Sequence, residues 1–381
     1  MRFATTAIHA GQPPDPATGA IMTPVYLTST YVQEAPGKHK GFDYARTNHP
    51  TRLALERNLA ALEGAAYGLA FASGMAAETT IISMLKAGDH VVCGRDVYGG
   101  TYRLFTKVFD RFGVEFTFIN IHRLEELEPA IRRNTRFVWL ESPSNPLLTV
   151  TDLAEAAKVA HAHGARVVVD NTFATPYLQQ PLALGADLVI HSTTKYLGGH
   201  SDVVGGAVAL NDPATFDQLK FLQNAIGAVP GPLDCFLVLR GTKTLAVRMK
   251  QHCENARAVA KFLSEHKDVK RVNWPGLPSH SGHAVAKRQM RDFGGMMSIE
   301  LHGGVERNIA FSTKTKVFAL AESLGGVESL VGHPVTMTHA SIPKEERERG
   351  GLPDALVRLS VGIEDVEDLI EDLDQAIQGT K

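Results

Sequence analysis

The sequence predicts an α/β fold with a mostly parallel central sheet and a smaller C-terminal α+β domain. Apolar runs at residues 137–141 and 165–171 flank a helical pattern from Asp152 to His163, which is typical of a βαβ unit. Polar residues follow several of the predicted strands, and α/β proteins place their sites at the carboxyl ends of parallel strands. After Pro278 the pattern changes to shorter α and β segments. These three observations carry the prediction of the fold.

The first 48 residues are predicted to form an extended arm. Glycine and proline recur through the segment, from Gly11 to Gly41, and leave little room for regular structure. Its apolar and aromatic side chains, such as Ile21 and Tyr31, would be unstable in water alone. We therefore expect the arm to lie on another subunit or on the body of the protein. The predicted divisions are the arm at 1–48, a large domain at 49–245 and a small C-terminal domain at 246–381.

The remaining elements follow from hydrophobic periodicity and from start and stop signals. A helix begins near residues 48–51, and the small residues at 70–77 open a second helix. The free backbone N–H groups of such a helix start can hold a phosphate, although many helices begin in this way for capping alone. The other predicted elements are strands at 90–93, 116–119, 187–191, 296–301 and 356–361, and helical segments at 124–132, 213–250, 245–265 and 366–377.

Composition excludes several classes of protein. The chain has 381 residues, 44% hydrophobic and 21% charged, with a net charge of -2, so neither a nucleic-acid partner nor a membrane partner is expected. Its three cysteines are widely spaced and the N-terminus lacks an apolar signal region, which favours a reducing, cytoplasmic location. His161 and His163 do not share a helical face, so no metal site is expected. Nucleotide-binding, zinc-protease and serine-hydrolase motifs are also missing.

Lys195 lies just beyond the strand at 187–191 in an unusual setting. Ser192 and Thr194 place hydroxyl groups beside it, and glycine pairs at 198–199 and 205–206 allow the backbone to approach a bulky ligand closely. This setting suits an amine with a lowered pKa that condenses with a carbonyl group, next to a phosphate. The competing interpretation is a solvated lysine in a glycine-rich turn.

Three more polar residues lie in or at the end of predicted buried strands. Burial of their side chains costs free energy unless each has a partner, so they are candidates for a functional role. Asn145 and Asp170, like Lys195, fall at or beyond a strand end, and Asp170 needs a cationic partner there. A protonated pyridine nitrogen would supply that cation, and a nearby arginine or backbone N–H group is the alternative. Arg358 interrupts the apolar strand at 356–361, where a carboxylate such as that of a bound amino acid would satisfy it. Arg46, near a helix start, is by itself most simply a surface charge.

Together these motifs resemble the Cys/Met-metabolism family of enzymes that depend on pyridoxal 5'-phosphate (PLP), of fold type I, related in fold to aspartate aminotransferase. The likeness covers nearly the whole chain, and the motifs occur in the family's order. They are GFDYAR at 41–46, FASGMAA at 71–77, DVYGGT at 96–101, SPSNP at 142–146, VVVDNTF at 167–173, HSTTKYLGGHSD at 191–202 and AESLGGVES at 321–329. The domain at 49–245 would then be the PLP-binding domain.

The resemblance implies a role for each matching residue. Lys195 would hold the cofactor as a Schiff base and move protons, and Asp170 would keep the pyridine nitrogen protonated. Tyr98 would stack on the ring and act with Lys195 and Asp170 in catalysis. The other cofactor-binding residues implied are Asn145 at the 3-oxygen, Gly74, Met75, Ser192 and Thr194 at the phosphate, and Tyr44 and Arg46 reaching that phosphate from a neighbouring subunit. The implied substrate-binding residues are Arg358, Glu322, Ser323 and Asn145.

The resemblance also implies an activity and an assembly. Glu322 resembles the γ-lyases and γ-synthases of the family, and Gly100 stands where methionine γ-lyases have cysteine. The expected reaction is α,γ-elimination of L-cystathionine in trans-sulfuration, with γ-replacement on an acylated homoserine by cysteine as the alternative. A silent PLP-binding protein and a cofactor-free Schiff-base aldolase stay open as further alternatives. The expected assembly is a homotetramer, a dimer of dimers, with active sites at the dimer interface.

Overall fold

The larger of two sheets has seven strands. The computed structural model describes residues 1–340 and 342–380, and in it the strand order of this sheet is β1-β7-β6-β5-β4-β2-β3. Neighbouring strands from β3 to β6 pair in parallel, whereas β7 pairs antiparallel with both β6 and β1. The predicted mostly parallel sheet is therefore confirmed. Its strands are β1 (Tyr67–Phe71), β2 (His90–Gly94), β3 (Glu115–Ile119), β4 (Thr135–Glu141), β5 (Arg166–Asp170), β6 (Leu188–Ser192) and β7 (Gly206–Leu210).

Helices cover both faces of this sheet. Val168 of β5 packs in one hydrophobic cluster, and its neighbours Val167 and Val169 pack in another, because successive side chains of a strand point to opposite faces. Because the parallel strands are buried on both faces, successive residues are apolar, which gives the continuous apolar runs of the sequence. The helices of this part are α1 (Phe3–His9), α2 (Pro50–Glu63), α3 (Gly74–Ile82), α4 (Gly99–Arg103), α5 (Leu127–Ala130), α6 (Leu153–Ala162), α7 (Thr175–Leu178), α8 (Pro213–Ile226) and α9 (Pro232–Thr242).

The smaller sheet has five strands and follows in the C-terminal part of the chain. Its order is β10-β11-β12-β9-β8, and β10 pairs in parallel with β11 while the other pairs are antiparallel. The predicted closing helix is present. The elements are strands β8 (Val269–Asn273), β9 (Met296–Leu301), β10 (Ala319–Leu320), β11 (Leu330–Gly332) and β12 (Val357–Ser360), and helices α10 (Leu245–Glu265), α11 (His283–Gln289), α12 (Gly304–Ser312), α13 (Lys344–Arg349) and α14 (Val366–Gln378).

Helix α10 connects the hydrophobic cores of the two parts. Leu245 and Met249, in its first half, pack in a cluster with residues of the N-terminal part such as Leu55. Val259 and Leu263, in its second half, pack in the cluster that covers the smaller sheet. A division of the chain near residue 246 stays a prediction, and the structure places the start of this shared helix there.

The N-terminal arm is less regular than the rest but is not wholly extended. Helix α1 lies within it, and Asn58 of α2 donates hydrogen bonds to the carbonyl oxygens of Ala7 and Ala10 at 3.3 and 2.9 Å. Glycine and proline follow α1 rather than interrupt it, so the expectation of little regular structure fails only for residues 3–9. Farther along, Leu27 and Val32 are 80% and 94% exposed. Their cover by another subunit stays a prediction.

The segment predicted as one helix at 124–132 is shorter and mixed. It begins as a 3₁₀ turn at Leu124–Glu126, continues as α5 and ends at Ala130. Pro129 lies in it and has no backbone N–H to donate, so a longer helix would lack a hydrogen bond there. In residues 1–340 and 342–380 no helix combines the length and apolar character needed to cross a membrane.

Candidate active site

A cavity of about 260 Å³ opens at the carboxyl ends of the central strands. Glu141, Asp170 and Ser192 are the last residues of β4, β5 and β6, and all three line it. Eleven of the thirteen site residues predicted from the sequence share this lining. They are Gly74, Met75, Tyr98, Asn145, Asp170, Ser192, Thr194, Lys195, Glu322, Ser323 and Arg358.

Lys195 enters the cavity from a turn that begins where β6 ends. Its backbone N–H bonds to the Ser192 carbonyl oxygen at 3.2 Å, and its Nζ donates to Ser323 Oγ at 2.8 Å. Burial, and then the positive charge of Arg358, lower the pKa of Lys195 to about 8, while Glu322 opposes the shift. More of the amine is therefore neutral near pH 7 than in a solvated lysine, and the neutral amine is the nucleophile.

Asp170 presents a carboxyl group to the same cavity. Its Oδ1 accepts the backbone N–H of Thr172 at 2.9 Å. Burial raises the pKa of Asp170, and hydrogen bonds from Thr172 and the charge of His191 oppose this rise. A cation placed in the cavity would lower the pKa again and favour the carboxylate. The site is thus suited to a protonated ring nitrogen.

The start of α3 forms one wall of the cavity with a close backbone approach. Ser73 caps the helix, its Oγ accepting the N–H of Ala76 at 3.0 Å. A Cβ atom at Gly74 would lie 3.0 Å from the Cβ of Ser192, and one at Gly206 would lie 2.1 Å from the carbonyl oxygen of Ser73. Glycine at these positions lets the helix start reach β6 and β7. The first-turn N–H groups and the Ser192 hydroxyl then fit a phosphate group.

Arg358 and Asn145 join the smaller sheet to the larger one. Arg358, on β12, is 4% exposed and donates from Nη1 to Asn145 Oδ1 and from Nη2 to the Ser323 carbonyl oxygen, both at 2.9 Å. Burial lowers the pKa of Arg358 to about 10. Ser323 has a φ of 91°, which L residues rarely adopt and which these contacts help to hold. Because both of its hydrogen-bond acceptors are neutral oxygens, the buried guanidinium keeps its positive charge unpaired by them and can bind a carboxylate.

Tyr44 and Arg46 lie away from the cavity of their own chain. The Arg46 Nη1 donates to the Asn224 carbonyl oxygen at 2.7 Å, and its guanidinium lies 5.6 Å from the ring centre of Tyr44. Tyr44 is 45% exposed. The structure therefore does not bring these two residues to the other eleven, and their action across a subunit interface stays a prediction.

Sequence reasoning missed two acidic residues of the cavity, Glu78 and Glu141. Glu141 ends β4, as Asp170 ends β5, and accepts the backbone N–H of Tyr98 at its Oε2 at 2.9 Å. Its position at a strand end was a usable signal. Glu78 lies one helical turn after Gly74, so the phosphate-binding prediction for Gly74 also pointed to the face that carries Glu78. The other lining residues outside the prediction are Ser73, Thr172, Phe173, Val204, Leu324 and Thr338.

Fold and cavity together define a class of protein, the enzymes that bind a phosphorylated pyridine aldehyde. A solved structure supports this class: cystathionine gamma-lyase from Lactobacillus plantarum complexed with L-serine superposes with a TM-score of 0.97 and 45% identity, covering 99% of each chain. The sequence profile of the Cys/Met metabolism PLP-dependent enzymes matches residues 4–378. The chain belongs to this family, and PLP is its cofactor.

Relatives in the family carry more than one activity. The chain is 54% identical over 375 residues to the cystathionine beta-lyase of Coxiella burnetii, covering 98% of this chain and 97% of the relative. It is 55% identical over 376 residues to the cystathionine gamma-synthase of Mycobacterium tuberculosis, covering 98% and 96%. The expected trans-sulfuration chemistry is therefore confirmed at the level of the family, in which lyases and synthases of cystathionine are found side by side.

Proposed function

We propose that this protein is a cystathionine γ-lyase, which converts L-cystathionine and water to cysteine, 2-oxobutanoate and ammonia by α,γ-elimination. The observation that carries the proposal is the pairing of opposite charges in one cavity. Arg358 offers a cation for the α-carboxylate of the substrate, and Glu322 offers an anion for its distal ammonium group. Both charges also act on Lys195, since each changes the pKa of its amine.

The residues around the cavity fit PLP. Lys195 Nζ would hold the aldehyde carbon, and Asp170 would accept the N–H of the ring. Tyr98 would lie against the ring face, and Asn145 would donate to the 3-oxygen. The phosphate would bind at the backbone N–H groups of Gly74 and Met75 and the hydroxyl groups of Ser192 and Thr194. When bound, PLP supplies an electron sink that stabilises negative charge at the α-carbon of the substrate.

Lys195 performs the proton transfers of the proposed reaction. Its Nζ, when neutral, takes the proton from Cα, releases that proton and then takes one from Cβ. The pKa of about 8 makes the neutral fraction near pH 7 larger than in a solvated lysine. The Tyr98 hydroxyl group takes part in the same transfers. The Cγ–S bond then breaks, and Nζ returns the proton taken from Cβ to the sulfur, which leaves as the thiol of cysteine. Arg358 and Glu322 hold the two ends of the substrate, so that the reacting carbons stay beside Nζ.

The second candidate is cystathionine γ-synthase, in which cysteine replaces the acyl group of O-acetyl- or O-succinylhomoserine. The same cavity serves it, because its product is cystathionine, and the relative from Mycobacterium tuberculosis carries this name. A PLP-binding protein without turnover is the third. Incubation with cystathionine alone, and in parallel with cysteine plus each acylated homoserine, separates them. Formation of 2-oxobutanoate from cystathionine as the faster reaction supports the lyase, and faster cystathionine formation overturns it.

We also propose the assembly and location that the sequence predicts. Active sites at a dimer interface would bring the neighbouring subunit's copies of Tyr44 and Arg46 to the phosphate. Mixing inactive Arg46→Ala and Lys195→Ala variants under subunit exchange should restore roughly a quarter of wild-type activity, because half of the dimers are mixed and each has one intact site. Recovery of no activity would place Arg46 outside the partner's site. The three free, buried cysteines suit a reducing cytoplasm.

A further inference from the structure

Glu78 is a buried carboxyl group of the cofactor cavity that has no part in the proposed reaction. It lies on α3, one turn after Gly74, and is 3% exposed. It nevertheless lines the cavity together with Asp170 and Glu141. With Glu322, four carboxyl groups thus line one cavity, and the reaction proposed above uses only Asp170 and Glu322.

The contacts of Glu78 are those of a neutral acid. Thr101 Oγ1 donates to its Oε1 at 3.1 Å, and within residues 1–340 and 342–380 its Oε2 has no hydrogen-bond partner. The negative charge of Asp170, on β5, raises the pKa of Glu78. Glu78 in turn raises the pKa of Glu141, on β4, and of the Cys93 thiol, on β2, so these electrostatic neighbours are acidic groups. A buried carboxylate without a cation loses its hydration and gains nothing in return.

Two buried carboxylates that repel each other favour protonation of one of them, and the proton goes to the group that is less well stabilised as an anion. Asp170 accepts a backbone N–H from Thr172 and feels the charge of His191. In the described part of the chain, the side chain of Glu78 accepts a hydrogen bond only from the hydroxyl group of Thr101. Burial, and then Asp170, raise the pKa of Glu78 to about 8. Ionisation of Asp170 therefore favours the protonated form of Glu78.

We propose that Glu78 is a positioning residue of the PLP site that stays a neutral carboxylic acid, so that the negative charge facing the ring nitrogen is concentrated on Asp170. Glu78 acts through Asp170 and not on the substrate. The inference depends on the PLP dependence of the family and is independent of whether the enzyme is a lyase or a synthase.

Infrared difference spectroscopy tests the protonation state directly. Wild type minus Glu78→Gln, at neutral pH, should show the C=O stretch of one protonated carboxyl group in the apoenzyme, and the band should persist after PLP is added. The band should disappear as the pH passes about 8 in the apoenzyme. A carboxylate band in its place would overturn the proposal, and so would loss of the protonated band on PLP binding, since Glu78 would then be the counter-ion.

A second variant and a second readout keep the proposal testable even if Glu78→Gln misfolds. Thr101→Val removes the hydroxyl group that lowers the pKa of Glu78, so the pH at which the band disappears should rise. In the holoenzyme, the visible absorbance of bound PLP should show an alkaline transition in wild type that Glu78→Gln lacks. Identical absorbance titrations of the two proteins would contradict the coupling to the ring. Circular dichroism of each variant verifies the fold.

Discussion

Replacement of Arg358 by lysine tests the proposed grip on the substrate carboxylate. The guanidinium uses two separate nitrogens for its two hydrogen bonds, to Asn145 and to the Ser323 carbonyl oxygen. A lysine keeps the positive charge, but its single ammonium group is not a planar fork and cannot bind a carboxylate through two parallel bonds. Arg358→Lys should therefore weaken substrate binding without removing the charge.

The magnitude follows from the loss of one charge-assisted hydrogen bond. Such a bond contributes about 1.5 to 3 kcal/mol, which corresponds to a decrease in kcat/KM of roughly 10- to 150-fold. Most of the change should appear as a higher KM, because the carboxylate is bound in the ground state and in the transition state alike. The assay is the steady-state release of 2-oxobutanoate from cystathionine, with PLP content measured by absorbance.

Arg166→Lys is the matched control. Arg166 begins β5 at the end opposite Asp170 and donates to Thr215 Oγ1 at 3.0 Å, away from the cavity. The same substitution there should leave kcat/KM unchanged. If kcat/KM of Arg358→Lys stays within about threefold of wild type, Arg358 does not bind the substrate carboxylate. Loss of even the weakest charge-assisted hydrogen bond would produce a larger decrease.

Four further predictions concern the titrating groups of the cavity. Lys195→Ala should abolish the borohydride-reducible PLP linkage and lower kcat by more than about 10²-fold; a retained linkage would show another lysine at work. The rate of PLP capture by the apoenzyme should rise with pH and level off above about 8, as the amine of Lys195 loses its proton. Glu322→Gln should move this inflection to lower pH, because the charge of Glu322 raises the pKa of Lys195. Stopped-flow absorbance measures the rate of PLP capture in wild type and in the variant. An unmoved inflection would contradict the electrostatic effect of Glu322 on Lys195. Since the pKa of Glu78 rises on folding from 4.5 to about 8, its contribution to stability is full below 4.5 and is lost as the pH rises through about 8. Thermal unfolding of the apoenzyme should show a smaller loss of Tm across that interval in Glu78→Gln than in wild type, and equal slopes would refute the shift.

Local pattern was sufficient to locate much of the active site. Asn145, Asp170 and Lys195 were identified because each follows an apolar strand, and parallel strands bring their carboxyl ends to one edge. The structure places all three at one cavity. Alternating packing of β5 and β6 into two clusters explains why these strands are apolar on both faces. The resemblance of whole motifs, rather than any pattern of hydrophobicity, pointed to Glu322 and Ser323.

Other features depend on how distant elements pack. Helix α1 forms in the arm, where Asn58 of α2 binds its last carbonyl groups, and no local signal in the arm marks it. The helix start at Gly74 indicated the face that carries Glu78, but no local pattern indicated that this side chain is buried. The side chain is buried because α3 packs against the central sheet, and the composition of α3 alone does not predict this packing.

The sequence by itself predicted several of the strands and helices and the polar residues at the strand ends, because periodicity and turn chemistry act over a few neighbouring residues. The tertiary structure alone decided which of these groups share one small space. Arg358 lies on β12 of the smaller sheet and Asn145 follows β4 of the larger one, and only the tertiary fold brings the two side chains to hydrogen-bonding distance. The charge states of Lys195, Asp170 and Glu78 are set in the same way, since burial and nearby charge, and not residue type, determine each pKa.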